Sequence, residues 1–338
     1  MKTSCCSVMR AMSVGLRAAP LFMAMALAQQ AHGEGWQKTF GGAGAEQGYT
    51  LQQTNAALIT LGELIPLYQG IEFRRASVGE SQAYVLRIDL NAPGIAFTST
   101  PPAGPLDTIA QTTSEFLESS GTQVAINANF FSPCCASKHE PKDLIGLAIS
   151  DGTVVSPFMS NESASALLIM ADHNATLTTI EETPSGIDDA VTGSDMLVRD
   201  GNNIAPVATT GFAGPNPRTA VGLSEDKNIL YLVVIDGRQP GYSIGATLQE
   251  TANLLIALGA FDALNLDGGG SATMVQSDGI GGSLVLNQPS GGSERFNGNN
   301  FGVLAFPLSD PESSMPSSRP NSKTASEDGF IIVGAAES

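Results

Sequence analysis

The sequence predicts an α+β fold, in which mixed β-sheets and a few packed helices form a single main domain. Short apolar runs rich in β-branched residues, such as Ile229–Ile235, recur between turn-forming residues. Helical periodicity is confined to short stretches such as Leu248–Leu258. An aromatic content of 6% and 37 glycines also favour a loop-rich mixed fold over a helical bundle.

The first 33 residues have the pattern of a secretory signal peptide. Lys2, Arg10 and Arg17 give a basic start, residues 18–28 form a short apolar run, and small residues follow. An uncleaved amphipathic anchor is the alternative interpretation. No later segment has the roughly 20 uninterrupted apolar residues that a membrane span needs. We therefore expect a secreted or periplasmic protein with no stable membrane span.

Removal of the signal peptide would change both the cysteine count and the charge. Of 4 cysteines, only the adjacent Cys134 and Cys135 would remain, and a vicinal disulfide, two free thiols or bonds to another chain are all open. Loss of three basic residues would move the formal charge from −17 to about −20. This charge argues against nucleic acid as a partner, and an anionic substrate would need a local cluster of arginines.

Residues 34–80 are predicted to form an N-terminal lead. Residues 34–48 are rich in glycine and polar residues and indicate a flexible segment, whereas residues 51–67 have loose helical periodicity and predict a small helix. The main domain is expected over residues 81–308. It begins with alternating strand patterns at residues 81–90 and 95–100, which predict a hairpin around the turn at residues 91–94.

The next part of the domain alternates helix, strand and hairpin signals. Residues 108–119 predict a helix, and residues 123–126 predict a buried strand. The polar loop at residues 132–143 carries the cysteine pair and is a candidate rim for a cleft. Hairpins are expected around Asp151-Gly152 and around residues 172–174. His173 is interpreted as a turn residue.

Residues 216–275 are predicted to form a strand, a polar loop, a helix, a second strand and a second polar loop. A buried strand at Ile229–Ile235 stops at Asp236, and Thr247 and Glu250 have the spacing of a capping box at the start of a helix. A second apolar strand at residues 263–266 leads into Asp267 and three glycines. If the two strands run parallel, both polar loops emerge at the same edge of the sheet. Further short strands follow up to residue 306, and residues 309–338 read as a disordered tail.

Several spaced motifs resemble the phosphodiester glycosidase family. They are NANFF at 127–131, PRTA at 217–220, DGRQ at 236–239, the helix after Thr247, and LNLDGGGS at 264–271, with a weaker match at Glu294-Arg295 followed by Asn300. The resemblance covers roughly residues 84–306, and its ordered motifs are more specific than a lone DGGG. Ala128 and Asn129 stand where the family often has glycine. The resemblance implies hydrolysis of a sugar-phosphate phosphodiester.

Breaking such a bond requires an anion clamp, stabilisation of positive charge on the sugar ring, and a nucleophile or a base for water. Arginine suits the clamp because its planar fork grips two phosphate oxygens. Arg218 and Arg238 are the candidates, with Arg295 as a weaker third. Asp236 and Asp267 are the candidate catalytic carboxylates, since each follows a predicted buried strand.

Further polar residues in the matching motifs are candidate substrate-binding groups. They are Asn127, Asn129, Gln239, Ser243, Asn265 and Ser271. The Gly268, Gly269 and Gly270 run either forms an anion-binding concavity of backbone N–H groups or makes a tight turn. The same carboxylates suit Ca²⁺ or Mg²⁺, with Asp236, Glu250 and Asp267 as possible ligands. A Ser-His-Asp triad has little support, because the chain has only three histidines and the glycine run lacks the Gly-x-Ser-x-Gly pattern.

We therefore expect an extracytoplasmic hydrolase that acts on a phosphorylated glycan, an exopolysaccharide or another sugar phosphodiester. The alternative from a different class is a non-catalytic protein that binds anionic polysaccharide in the same cleft. A calcium-stabilised structural protein is a third hypothesis.

Overall fold

The computed structural model describes residues 35–39, 50–54, 57–135 and 138–308. The predicted signal peptide and the predicted disordered tail lie outside these residues. The fold is mostly β-sheet, with 41% strands, 9% helix and two helices in the described part of the chain. The predicted class is thus correct in its broad form, although the helix content is small. Over the described residues, no helix is long and apolar enough to cross a membrane.

The strands, in chain order, are β1 (Gly35–Thr39), β2 (Thr50–Thr54), β3 (Ile59–Leu61), β4 (Ile65–Tyr68), β5 (Ile71–Val78), β6 (Ser81–Asp89), β7 (Ala96–Ser99), β8 (Thr108–Ile109), β9 (Val124–Asn127), β10 (Phe131–Ser132), β11 (Pro141–Leu144), β12 (Ala148–Ser150), β13 (Thr153–Ser156), β14 (Ser165–Ile169), β15 (Ala175–Thr179), β16 (Asp189–Thr192), β17 (Met196–Arg199), β18 (Asn202–Asn203), β19 (Arg218–Leu223), β20 (Ile229–Ile235), β21 (Asp262–Asn265), β22 (Met274–Ser277), β23 (Ser283–Val285) and β24 (Asn300–Leu304). The helices are α1 (Thr113–Ser120) and α2 (Leu248–Leu258).

The largest sheet has nine strands in the order β18-β17-β21-β19-β20-β6-β5-β3, with β4 also paired to β5. Two five-stranded sheets have the orders β13-β12-β16-β14-β15 and β23-β22-β9-β24-β7. A three-stranded sheet joins β10, β11 and β8, and β1 pairs with β2. All the strand pairs are antiparallel over the described residues, so the mixed parallel pairing that the sequence suggested is absent there.

The central strand β20 is buried on both faces, as its apolar run predicts. Leu230, Leu232 and Val234 belong to one core cluster with residues of the five-stranded sheets. Val233 and Ile235 point to the other face and pack in a second cluster with the apolar side of α2. The alternation follows from the two-residue period of a strand, which sends successive side chains to opposite faces.

The predicted helix at residues 51–67 is wrong. This segment contains β3 and parts of β2 and β4, and the chain then continues into β5. Gly62 and Pro66 disfavour a helix interior, and the Gly62 N–H instead donates to the Arg75 carbonyl across the strand pair at 2.8 Å. In the predicted flexible lead, Gly35–Thr39 is a strand. Residues 40–49 lie outside the described part.

The predictions of the α2 caps and of two hairpin turns are confirmed. Thr247 and Glu250 form the capping box of α2, and Gly259 ends the helix in the left-handed conformation at φ 104°. The hairpins β12/β13 and β14/β15 are confirmed, with His173 in the turn at φ 64°. The hairpin predicted at residues 81–100 is wrong, because β6 pairs with β20 and β5 while β7 pairs with β24.

The position of β19 brings the polar loops together. It lies between β20 and β21 and is antiparallel to both, so β20 and β21 run in the same direction. Arg218 at the start of β19 pairs with Ile235 at the end of β20, and Ala220 pairs with Asn265 at the end of β21. The predicted shared edge is therefore confirmed, although a third strand separates the two.

Candidate active site

A cavity of about 510 Å³ opens at this edge of the nine-stranded sheet. Its volume falls within the range of pockets that enclose small organic ligands. The residues that line it are Phe130, Cys134, Cys135, Gly211, Phe212, Asn216, Pro217, Arg218, Arg238, Asn265, Asp267, Gly268, Gly269, Gly270 and Arg295. Of these, three are arginines and one is a carboxylate. The cavity is therefore locally cationic in a chain whose formal charge is −17.

Arg218 is buried at the start of β19, with 3% of its surface exposed. Its guanidinium donates to the backbone carbonyls of Ala246 at 2.9 Å, Phe212 at 2.7 Å and Gly214 at 2.5 Å. Burial, with the charge of Arg238 as a second cause, lowers the pKa of Arg218 to about 10. The side chain stays protonated at neutral pH, so it supplies fixed positive charge and holds the loop before β19.

Arg238 is the exposed cation of the cavity, and it lies in a tight turn after β20. Its φ of 59° is in the left-handed region, which costs a residue with a side chain roughly 1 kcal/mol or more. The guanidinium donates to Asn216 Oδ1 at 2.9 Å. Arg295 reaches the same place from the loop before β24 and donates to Ser271 Oγ at 3.4 Å. Neither side chain forms an ion pair among the described residues.

Asp267 directly follows β21 and the buried Leu266, and its carboxylate is partly buried. Burial raises its pKa to about 6, while a hydrogen bond from Ser271 and the charge of Arg295 oppose the rise. Its backbone is fixed on both sides, because its N–H donates to the Ala128 carbonyl at 3.0 Å and its carbonyl accepts from Asn127 Nδ2. A carboxylate with a pKa near neutrality can exchange a proton at physiological pH.

The three glycines let the cationic side chains approach the backbone. Gly269 has φ 62°, and a Cβ there would lie 3.1 Å from the guanidinium nitrogens of Arg238. A Cβ at Gly270 would collide with the guanidinium of Arg295. The Gly269 N–H donates to the Pro217 carbonyl at 2.9 Å, and the Ser271 N–H donates to the Gly268 carbonyl at 3.1 Å. The run therefore forms a tight turn beneath the arginines, with these N–H groups already used.

The structure does not bring Asp236 into the cavity. Its carboxylate is 1% exposed and accepts hydrogen bonds from Asn287 Nδ2, the Gln288 N–H and the Tyr242 hydroxyl at 2.8, 2.9 and 3.0 Å. Burial raises the pKa of Asp236, and these hydrogen bonds oppose the rise. The structure thus does not bring Asp236 beside Asp267 in this cavity, and the catalytic role of Asp236 stays a prediction. Asp236 ties the end of β20 to the loop after β23.

The two asparagines of the NANFF motif are also structural. Asn127 Oδ1 accepts from Thr219 Oγ1 at 2.7 Å and from the Thr273 N–H at 3.1 Å. Asn129 Nδ2 donates to the Leu147 carbonyl at 3.0 Å, and its Oδ1 accepts from the Thr192 N–H at 3.1 Å. Both side chains are 1% exposed, and neither lines the cavity. Their polar atoms are used to join segments of the fold, and their role as substrate-binding groups stays a prediction.

Gln239 and Ser243 likewise do not line the cavity. Gln239 Nε2 donates to the Gln288 carbonyl at 2.8 Å, and Ser243 Oγ donates to the Asp236 carbonyl at 2.6 Å. Asn265 does line it, with its amide fixed by bonds from Nδ2 to Ser194 Oγ at 2.9 Å and to the Leu266 carbonyl at 3.0 Å. Ser271 is fully buried and supports Asp267 and Arg295 from beneath.

The residues proposed for a metal ion do not come together. Glu250 accepts from the N–H and hydroxyl of Thr247 in the α2 capping box, at 2.8 and 2.9 Å, and Asp236 is enclosed by its own hydrogen bonds. Throughout the described residues, no group of three or more His, Cys, Asp or Glu side chains could hold a metal ion. The proposed ligand set for Ca²⁺ or Mg²⁺ does not fit this structure.

The rim of the cavity includes residues that the site prediction missed. Phe130 and Phe212 have ring centroids 6.1 Å apart, and Cys134 is joined to Cys135 in a vicinal disulfide. The predicted role of the cysteine loop as a rim is confirmed, since both cysteines line the cavity. Phe212 has a sequence signal in retrospect, as an isolated aromatic residue in a loop of glycines and polar residues.

Comparison with known proteins supports the family resemblance. The model of the phosphodiester glycosidase family matches residues 120–304, which is more than half of the chain and includes every residue that lines the cavity. No curated protein shows significant similarity to the chain.

Two solved structures share the fold. A hypothetical protein from Synechocystis has a TM-score of 0.52 and 15% identity, over 81% of this chain and 68% of that one. The catalytic domain of zebrafish N-acetylglucosamine-1-phosphodiester alpha-N-acetylglucosaminidase, auto-inhibited by its pro-peptide, has a TM-score of 0.50 and 18% identity, over 82% of this chain and 90% of that one. At these identities the two structures establish a common fold.

Proposed function

This chain belongs to the phosphodiester glycosidase family, and we propose that it hydrolyses a glycosyl phosphodiester in the cavity at the edge of the nine-stranded sheet. One observation carries the proposal. Three guanidinium groups and one carboxylate with a raised pKa line the same cavity among the described residues. This combination matches an anionic substrate that reacts with water.

Arg238 and Arg295 are the proposed phosphate clamp. Both guanidiniums pack over the glycine turn, and neither is neutralised by a carboxylate at ion-pair distance among the described residues. A phosphodiester carries one negative charge, and the charge on the phosphate grows as the glycosidic bond breaks. Preorganised cations stabilise that growing charge more than the ground state, which lowers the barrier. Arg218 adds fixed positive charge and holds the loop that carries Phe212.

Asp267 is the proposed general base. The phosphate leaves without protonation by an acid, so a single carboxylate in the cavity is sufficient. Asp267 takes a proton from water as the water oxygen attacks the anomeric carbon, and the bonding electrons pass to the departing phosphate oxygen. This single displacement predicts inversion at the anomeric carbon. Retention would reassign Asp267 as the nucleophile.

The substrate is proposed to be an extracytoplasmic glycan or exopolysaccharide that contains a sugar phosphodiester. The predicted signal peptide supports export, and the Cys134–Cys135 disulfide fits an oxidising compartment. N-acetylglucosamine is the first sugar to test, because the zebrafish structure is named for a phosphodiester of that sugar. Fractionation of cells that express the full chain would test the location, and a purely cytoplasmic product would contradict it.

The decisive experiment incubates the purified protein with UDP-sugars and with methyl esters of sugar 1-phosphates, with and without a chelator. We expect release of free sugar that persists in the chelator. Asp267→Asn should lower kcat/KM by roughly 10³-fold and Arg238→Ala by roughly 10²-fold. Arg199→Ala is the matched control, since Arg199 is exposed and lies outside the cavity. Absence of sugar release from the whole panel would contradict the proposal.

A second candidate function is binding of anionic polysaccharide without hydrolysis. The specific observation in its favour is the enclosure of Asp236, which leaves one carboxylate from the described residues in the cavity, where most glycosidases use two. Saturable binding of a glycosyl phosphodiester polymer, with no sugar released over days, would select this function.

A further inference from the structure

One part of the cavity lining is apolar and comes from two separate loops. Phe130 directly precedes β10, and the Cys134–Cys135 disulfide lies in the loop after it. Phe212 lies in the loop before β19. The two rings contact each other in a tilted arrangement, with centroids 6.1 Å apart. We call these four residues the apolar wall.

Much of the apolar wall is exposed to solvent, although apolar side chains are usually buried. Phe212 is 53% exposed, and both cysteines of the disulfide are exposed. Exposed aromatic rings that form part of a concave pocket lose unfavourable water contact when a ligand with an apolar surface covers them. The guanidiniums of the same cavity do not need such a surface, because they recognise charge.

Both halves of the wall are anchored by cations. The Phe212 carbonyl accepts from Arg218 at 2.7 Å, and the guanidinium carbon of Arg218 lies 5.6 Å from the centroid of the Phe212 ring. The fully buried Lys142 donates to the Pro133 carbonyl at 2.7 Å, directly before the disulfide. The wall is therefore held in place without a ligand, which reduces the entropy cost of binding.

The cavity thus offers a charged region and an apolar region to one ligand. A phosphate group fills only the charged region, because its surface consists of oxygen atoms. A pyranose ring attached to that phosphate has C–H groups that form an apolar face, together with hydroxyl edges that tolerate a polar cavity. Aromatic rings bind such a face by dispersion. The partial positive charge of the C–H hydrogens is also attracted to the negative face of the aromatic ring.

We propose that the apolar wall packs against the sugar ring of the substrate, so that Phe212 and the Cys134–Cys135 disulfide determine affinity for the sugar separately from the phosphate. This proposal rests on the proposed function for the identity of the ligand. It adds the surface that recognises the sugar.

The test compares two probes by titration calorimetry on the full chain: inorganic phosphate and N-acetyl-α-D-glucosamine 1-phosphate, with α-D-glucose 1-phosphate as a second sugar. We expect the wild type to bind at least one sugar 1-phosphate more tightly than phosphate. Phe212→Ala should weaken binding of that sugar 1-phosphate by roughly 10-fold and leave phosphate binding within about two-fold. Arg238→Ala should weaken both probes.

The matched control is Val207→Ala. Val207 is an apolar residue of the same loop, is 81% exposed and does not line the cavity. We expect no change for either probe. Phe212→Tyr should bind the sugar 1-phosphate like the wild type, since it keeps the ring. A Phe212→Ala variant that lost affinity for both probes equally would indicate general damage to the loop and would overturn the assignment.

The disulfide allows a second, independent test of the proposal. Reduction by dithiothreitol breaks the Cys134–Cys135 bond to two thiols, and the dithiothreitol is oxidised to its cyclic disulfide. We expect weaker binding of the sugar 1-phosphate and unchanged binding of phosphate, whereas a Cys134→Ser, Cys135→Ser double variant should be insensitive to the reductant. Unchanged sugar affinity in both Phe212→Ala and the reduced protein would refute the wall as a sugar-binding surface.

The outcomes separate this inference from the proposed function. If the wild type releases sugar but Phe212→Ala binds and turns over substrate normally, hydrolysis stands and the wall has no role. If the wild type releases no sugar but binds a sugar 1-phosphate through Phe212, the wall stands in a binding protein. Preferential binding of uridine monophosphate over every sugar 1-phosphate would assign the wall to a nucleobase and overturn the proposal.

Discussion

Asn127, at the end of a strand of one sheet, donates a hydrogen bond from Nδ2 to the backbone carbonyl of Asp267, which follows a strand of another sheet. The same amide accepts from Thr219 on β19 and from the Thr273 N–H. One buried side chain therefore fixes the backbone of Asp267 against β19. The acid of the cavity depends on this bond for its position.

Asn127→Ala is expected to destabilise the fold and reduce activity together. It leaves the Thr219 hydroxyl, the Thr273 N–H and the Asp267 carbonyl without their partner, at roughly 1 kcal/mol or more for each buried group. We expect a loss of about 3 kcal/mol in the free energy of unfolding, measured by urea denaturation. Asn202→Ala, at an exposed position, should change it by less than about 0.5 kcal/mol.

Activity is expected to rise with pH through the titration of Asp267. The base must be ionised, and its pKa in the folded protein is raised to about 6. The plot of log kcat/KM should therefore climb below about pH 6 and level off above it, with a slope of about one. In Asp267→Asn this acidic limb should vanish from the residual activity. An unchanged limb in that variant would assign the titration to another group.

Asp189 is expected to make stability depend on pH. The residue is 1% exposed, and neither carboxylate oxygen has a hydrogen bond of good geometry in the described structure, although the backbone of Asp151 and Ser99 lies close enough to stabilise the charged form weakly. Burial, with the charges of Asp151 and Asp188 as further causes, raises its pKa to about 7. Because the folded pKa lies above the unfolded value of about 3.9, the stabilisation is complete below that value and is lost as the pH rises to about 7.

The measurement is the free energy of unfolding from pH 4 to pH 8 in wild type and in Asp189→Asn. In the wild type, we expect the free energy of unfolding to decrease by a few kcal/mol as the pH rises over this range. In Asp189→Asn this decrease should be absent. The exposed Asp143→Asn should keep the wild-type profile. Identical slopes in the wild type and Asp189→Asn would show that Asp189 does not carry the dependence.

Gly270→Ala is expected to impair the phosphate clamp more than the fold. Its Cβ would collide with the Arg295 guanidinium, which can move because it is the end of a flexible side chain. We predict a roughly 10-fold to 100-fold higher Kd for inorganic phosphate with a change in melting temperature of only a few degrees. Gly291→Ala lies in the loop that carries Arg295 and has only the Ser293 carbonyl, at 3.8 Å, near its added Cβ. It should bind phosphate normally.

Local sequence signals predicted local structure well. Thr247, Glu250 and Gly259 mark the ends of α2 because capping is decided by residues within one turn of the helix. The apolar run at Ile229–Ile235 likewise identified a strand buried on both faces. These features depend on neighbours in the chain.

Pairing and side-chain access depend on residues far apart in sequence, and here the sequence predictions failed. The hairpin expected between residues 81–90 and 95–100 is absent, because β6 pairs with β20 over most of its length. This pairing gives β6 more backbone hydrogen bonds and side-chain contacts than the short strand β7 could. Asp236 and Asp267 have the same local pattern of strand, carboxylate and glycine. Asn287 and Gln288 enclose only Asp236, and nothing near Asp236 in the sequence indicates their approach.

The insertion of β19 between β20 and β21 has a consequence for how the protein acquires activity during synthesis. The cavity draws residues from positions 130 to 295, so a nascent chain holds no working portion of it until nearly the whole domain has left the ribosome. Fragments and early chain termination should therefore yield inert products with no intermediate level of turnover. Under the function proposed above, activity therefore requires both ends of this range to be present together.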